Sequence, residues 1–187
     1  MEDNGVDVRG MDTADQVAIE LKSMIDAIPV NTPANGKATP LVEAIMATGR
    51  LPEDNNQLKA MLAEIDGKTP DVLRMKEGQE AVEVVVALTA RATIKASREA
   101  GASRLETFIP LRDLYLSQPR LNIRTSTSLE NQAYSTPAPL AYLAGELAGL
   151  GSGSVYEPTA GNGMLLIGAE TGRAWVNELD PQRFERL

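Results

Sequence analysis

Val155-Tyr156-Glu157-Pro158-Thr159-Ala160-Gly161-Asn162-Gly163-Met164 reads as an apolar strand that ends in a carboxylate and turns over two glycines into an apolar segment. A carboxylate at a strand tip accepts hydrogen bonds from an amine, and glycines after it let backbone N–H groups approach a ligand with no Cβ in the way. The decapeptide therefore has the outline of a nucleotide-type cofactor site. Twenty-one residues beyond Glu157, Ala174-Trp175-Val176-Asn177-Glu178 is a second short apolar run ending in an acid, close to the ~20-residue spacing at which open α/β folds place a ribose-binding carboxylate. Glu178 is the candidate ribose ligand. Upstream, Tyr134-Ser135-Thr136-Pro137 leads into Leu140, Leu143, Ala144, Leu147 and Leu150. This apolar stripe at helical spacing predicts a helix beside the first strand, its polar entrance facing the cofactor.

Around these segments the pattern alternates. Pro139 to Leu150 reads as helix, Gly151 to Gly153 as turn, Ser154 to Glu157 as strand, Gly163 to Thr171 as helix, Ala174 to Leu179 as strand and Pro181 onward as a helix start. Strand, helix and strand in so short a span predict a βαβ unit with parallel strands and a right-handed crossover. Ahead of it the chain reads as helices: Thr13 to Ile28, Leu41 to Thr48, Pro52 to Ile65 until Gly67, one or two helices over Pro70 to Ala100, and Leu105 to Ser117 before Pro119. Val82 to Val86 is a β-branched run that a buried strand would also use, but its length and the Ala-Leu-Thr-Ala-Arg-Ala after it favour helix. Asn122 to Ala133, polar and rich in Ser and Thr, is the predicted linker. The expected organisation is a helical domain over 1–121, a linker over 122–133 and an incomplete α/β, Rossmann-like unit over 134–187.

Three ordered motifs resemble those of the S-adenosylmethionine-dependent DNA adenine-N6 methyltransferases. Tyr134, Thr136 and Pro137 look like that family's first cofactor motif, Tyr/Phe-x-Thr-Pro before a helix. Glu157-Pro158-Thr159-Ala160-Gly161-Asn162-Gly163 is similar to its acid-Pro-x-x-Gly-x-Gly loop, and Glu178-Leu179-Asp180-Pro181 to its second acidic strand end. The resemblance implies that Glu157 meets the methionine ammonium of S-adenosylmethionine, that Gly161 and Gly163 pass close to the cofactor, that Glu178 clasps the ribose hydroxyls and that Leu179 covers one face of the adenine. The family's Asp/Asn/Ser-Pro-Pro-Tyr/Phe loop, which holds the flipped base, has no counterpart, because the chain contains no Pro-Pro dipeptide. Asp180 and Pro181 suit a helix cap and first-turn proline instead. The expectation is the front part of a longer DNA methyltransferase, one that binds the donor but lacks the catalytic loop.

Composition narrows the chemistry. The 187 residues include no cysteine and no histidine, which excludes disulfides, thiolate metal sites and Ser-His or Cys-His catalysis. Carboxylate, hydroxyl and backbone chemistry remain, and these suit methyl transfer, where positioning matters more than a strong protein nucleophile. No apolar run approaches the ~18 residues of a membrane span, and the acidic Met-Glu-Asp-Asn-Gly start is unlike a secretory signal. A cytoplasmic protein with no membrane partner and no metal is expected. The net charge is −8, unevenly spread: residues 1–75 hold thirteen acids against seven bases, whereas the stretch from Arg91 to Arg124 holds seven bases against three acids. That stretch is the candidate face for DNA phosphates, or else a solvated helix surface.

Competing readings use the same residues. Glu157 also suits a strand-terminal acid that caps the next turn, and Thr136 before Pro137 a helix entrance. Dinucleotide binding wants a third glycine where Leu166 stands, and an acid ahead of the glycines would repel a pyrophosphate while attracting an ammonium. A different class is a non-catalytic helical adaptor or antirestriction-type module of a phage or plasmid protein, in which methylase-like segments precede helicase domains.

Overall fold

The computed structural model describes residues 40–118, 121, 135–170, 172–180, 183 and 187. The helix expected over 13–28, the linker over 122–133, Tyr134 and the helix start at Pro181 lie outside them. Helix α1 (Pro40–Ala47) and helix α2 (Asn55–Asp66) form as their apolar spacing predicts. Asp54 caps α2 by accepting from the amides of Asn56 and Gln57, both at 2.8 Å, and Gly67 ends it at φ +66°. After Asp71 caps the next turn, Pro70 to Ala100 forms the single helix α3 (Val72–Glu99), 28 residues long, with the β-branched run inside it. Its buried threonines lose nothing by burial, because the Thr89 and Thr93 hydroxyls donate to the carbonyls one turn back. Helix α4 (Arg104–Leu116) begins with a capping box, in which Ser103 and Glu106 satisfy each other's amides.

Helix α3 is the axis of the fold. One side of it, Ala81, Val82 and Val85, packs with Leu41, Val42 and Ile45 of α1 and Leu58, Met61 and Leu62 of α2. At Gly78 the approach is so close that a Cβ would stand 2.7 Å from Leu62 Cδ1. The other side, Val86, Ala87, Ala90 and Ile94, packs with Leu111 and Leu114 of α4 and with helix α5 (Ala138–Ala148). Met164 and Ile167 complete that cluster. Residues from the expected helical segment and the expected cofactor unit therefore share one core.

Helix α5 turns the opposite way from the sequence expectation. Leu140, Leu143 and Leu147 are exposed, Leu147 by 90%, while Ala141, Tyr142 and Gly145 are buried. The helix has two apolar sides, and the side with small residues allows the closer approach to its neighbours. Only Leu150, just past the helix, is buried as the stripe required.

Strands β1 (Val155–Glu157) and β2 (Ala174–Val176) are parallel, with Val155 opposite Ala174, Tyr156 opposite Trp175 and Glu157 opposite Val176. Parallel pairing was the expectation, but the crossover between them was not. In place of a helix over 163–171 there is one 3₁₀ turn, Met164–Leu166, followed by further turns. Arg98 and Arg91 of α3 donate to the carbonyls of Gly168 and Ala169 at 2.9 and 3.1 Å, and Gly168 lies against Arg98. The backbone bonds here run from each amide to the carbonyl three residues back, as from Leu166 N to Gly163 O and from Ala169 N to Leu166 O, the pattern of tight turns and not of an α-helix. The described chain is thus mainly helical with a two-stranded parallel sheet. Among the described residues no helix is long and apolar enough to cross a membrane.

Candidate functional site

The site is built on the loop between β1 and the 3₁₀ turn. Glu157 ends β1, and its backbone carbonyl accepts from Asn177 N at 2.9 Å, while Ala160 N donates to Asn177 O at 3.0 Å. The loop is thereby stitched to the end of β2. Gly161 and Gly163 adopt φ +57° and +79°, in the left-handed region where a Cβ is penalised. A Cβ on Gly161 would meet nothing nearer than Arg183 at 3.9 Å, so the space above this glycine is open.

Glu157, the last residue of β1, and Glu178, two residues past the end of β2, which stops at Val176 and not at Leu179 as expected, both bond to this loop. Glu157 Oε1 accepts from the amide and hydroxyl of Thr159 at 3.0 and 3.1 Å. Glu178 Oε2 accepts from Gly161 N at 2.6 Å and Oε1 from Asp180 N at 2.9 Å. Pro158 and Thr159 are exposed, Ala160 is buried beneath the loop against Leu166 and Ala169, and Leu179 is 77% exposed. Thr136 and Pro137 stand elsewhere, on the wall of a separate cavity with Met164.

Beneath the loop lies a polar network that the sequence reading missed. Glu80 of α3, 7% exposed, receives Arg183 in a two-pronged pair at 2.7 and 2.9 Å and Lys76 at 2.7 Å. Asn162, between the two glycines, donates from Nδ2 to Glu80 at 2.9 Å and to Glu83 at 3.0 Å. Burial pushes the Glu80 carboxyl up, but hydrogen bonds from Arg183, Lys76 and Asn162 outweigh it and bring the pKa down to about 2. Burial also works against the Arg183 charge, and the bonds to Glu80 more than offset it, raising its pKa. One signal was available: Lys76, Glu80 and Glu83 follow the four- and three-residue spacings that share a helix face.

Two cavities adjoin these elements. The larger, about 550 Å³, lies at the α2–α3 junction beside Asp66, Lys68 and Arg74, remote from the glycine loop, and Arg74 there is held by Asp66 and Glu77. The smaller, about 260 Å³, lies between α3, the end of α4 and the entrance of α5. Glu157, Gly161 and Glu178 line neither. Among the described residues no group of three His, Cys, Asp or Glu is placed to hold a metal ion.

The basic stretch is largely engaged within the chain. Arg91 and Arg98 anchor the crossover carbonyls, Arg98 and Arg104 pair with Glu146, Arg112 pairs with Asp113 and Lys95 lies 3.8 Å from Glu99. Arg120 and Arg124 lie outside the described residues. Comparison of the chain with protein-family models, curated proteins and solved structures finds no match.

Proposed function

We propose that this chain forms the donor-binding part of a DNA adenine-N6 methyltransferase, with β1 and β2 as the first strand pair of a Rossmann-like sheet. The observation that carries the reading is that Glu157, ending β1, and Glu178, just past β2, both bond to one glycine loop, at amides two residues apart. The donor set fits S-adenosylmethionine: carboxylates suit ribose hydroxyls and an ammonium, and left-handed Gly161, with open space above it, suits a closely approaching nucleoside, while Gly163 lies against Leu187. Glu178 would hold the ribose, Gly161 and Gly163 would line its path, and exposed Leu179 would cover the adenine. Bound there, S-adenosylmethionine supplies a methyl group activated by its sulfonium, for transfer to the exocyclic amine of a flipped adenine. Tyr156 and Trp175, paired and 66% and 61% exposed, form a sheet face that the further elements of such a core would cover.

The alternative, a helical interaction module, is favoured by one observation: Glu157 and Glu178 already have partners in the loop, as plain caps would. Titration calorimetry with S-adenosylmethionine separates the two. Saturable binding by the wild-type chain, weakened about tenfold to hundredfold by Glu178→Gln, is expected if a charge-assisted bond to ribose is lost. No binding at millimolar ligand refutes the cofactor reading and leaves the module.

A further inference from the structure

Glu83 is the carboxylate on the smaller of the two cavities. It lines the space of about 260 Å³ with Gln79, Val86, Thr136, Pro137 and Met164. Ser135, at the entrance of α5, and Asn162, in the glycine loop, both donate to its Oε2, and Gln79 reaches its Oε1 at 3.4 Å. These donors are all neutral. Glu80, one turn away, is matched by Lys76 and Arg183, whereas among the described residues Glu83 takes part in no salt bridge. It is the only formal charge on the described lining of its cavity. Beside it, Asn162 Oδ1 is buried and accepts no hydrogen bond among the described residues. A carboxylate whose hydrogen bonds come from neutral donors, with the Arg183 charge acting on it from beyond ion-pair distance, and walls of Val82, Val86 and Met164 suit a small ammonium carried on an apolar stem. A space of about 260 Å³ is of a size for an amino-acid-like group.

We propose that Glu83, which lines this cavity and is joined to the glycine loop by Asn162, receives the ammonium of the methionine end of S-adenosylmethionine. This rests on the cofactor reading above and alters one part of it: the resemblance gives that role to Glu157, which lies outside the cavity with its Oε1 on Thr159. A residue of the N-terminal helical segment then completes the donor site.

The test uses two ligands on the 187-residue chain: S-adenosylmethionine, and 5′-methylthioadenosine, which keeps adenosine and thioether but lacks the amino-acid end. Glu83→Gln retains an acceptor for Ser135 and Asn162. It is expected to weaken S-adenosylmethionine about tenfold or more, the worth of a charge-assisted hydrogen bond, and to leave methylthioadenosine unchanged, which also shows that the site is folded. Equal affinity for S-adenosylmethionine, or an equal loss for both ligands, overturns the assignment while the cofactor reading stands. So does a ligand-selective loss that appears with Glu157→Gln and not with Glu83→Gln. A wild-type chain that binds neither ligand defeats the cofactor reading itself, and this assignment with it.

Discussion

Replacing Glu80 by alanine removes the group on which α3, the glycine loop and the chain after β2 converge. Of its three partners, Lys76 keeps a route to solvent and Asn162 keeps Glu83, but Arg183, 6% exposed, loses both of its bonds to Glu80. Breaking a buried pair by deleting one partner costs about 3–5 kcal/mol, because the other charge is left without compensation. The lowered pKa gives a second figure for the same contacts. A carboxyl moved from 4.5 to about 2 stabilises the fold by roughly 3 kcal/mol when ionised, at about 1.4 kcal/mol per unit. The two routes agree, so Glu80→Ala is expected to lower unfolding stability by about 3 kcal/mol near neutral pH.

The pH dependence follows from the direction of that shift. A depressed folded-state pKa gives stability that is complete above the unfolded value of 4.5 and is lost as pH falls through the folded value of about 2. Urea unfolding of wild type and variant should therefore differ most above about pH 5 and converge toward about pH 2. The double variant Glu80→Ala/Arg183→Met should recover at least about 1 kcal/mol of the loss, since no guanidinium is then stranded. A single variant within about 1 kcal/mol of wild type at neutral pH, or a difference independent of pH, refutes the reasoning.

Gly78→Ala tests the α2–α3 contact. Helix propensity gains about 1 kcal/mol, but the new methyl would sit 2.7 Å from Leu62 Cδ1 and 3.2 Å from Leu58 Cδ1, and both leucines are fully buried. Overpacking at about 1–3 kcal/mol is expected to win, so the melting temperature should fall; a rise would show that Leu62 has room to turn. Separating residues 40–118 from 135–187 tests the shared core, because Ala138, Ala141, Tyr142, Met164 and Ile167 cover Ile94, Leu111 and Leu114. Hydrogen exchange should then find α1, α2 and the first half of α3 protected, α4 weakly protected and 135–187 exchanging throughout; strong, equal protection in both pieces would contradict this.

The parts of the fold legible in the sequence are those fixed by neighbours in the chain. Asp54, Asp71, Ser103 with Glu106, Gly67 and Gly149 are local caps, and the helix boundaries fall where those residues stand. The two short apolar runs announced β1 and β2 for the same reason. What was not legible depends on distant partners. Where a crossover helix was expected the described residues make tight turns, tied down by Arg91 and Arg98 from 78 and 70 residues upstream. Glu80 joins Arg183 across 103 residues, and no periodicity in either segment records that meeting. On α5, periodicity marked an apolar stripe but could not say which of two apolar sides a neighbour would cover.

The same dependence on local and distant partners bears on Glu178. Its carboxylate caps the Gly161 amide and on the cofactor reading also accepts from ribose hydroxyls, so geometry alone serves both. Energy separates them. A carboxylate that only caps contributes about 1 kcal/mol to folding per amide, and Gln keeps an oxygen for the Gly161 amide but loses the bond from Asp180 N, a cost of about 1 kcal/mol that falls on the fold whether or not ligand is present. A carboxylate that also holds ribose hydroxyls makes charge-assisted bonds that are formed only when ligand is present. Glu178→Gln should therefore change affinity strongly and stability by only about 1 kcal/mol. If the loss falls on the unbound fold alone, Glu178 is a cap and the glycine loop is a turn that needs no ligand to explain it.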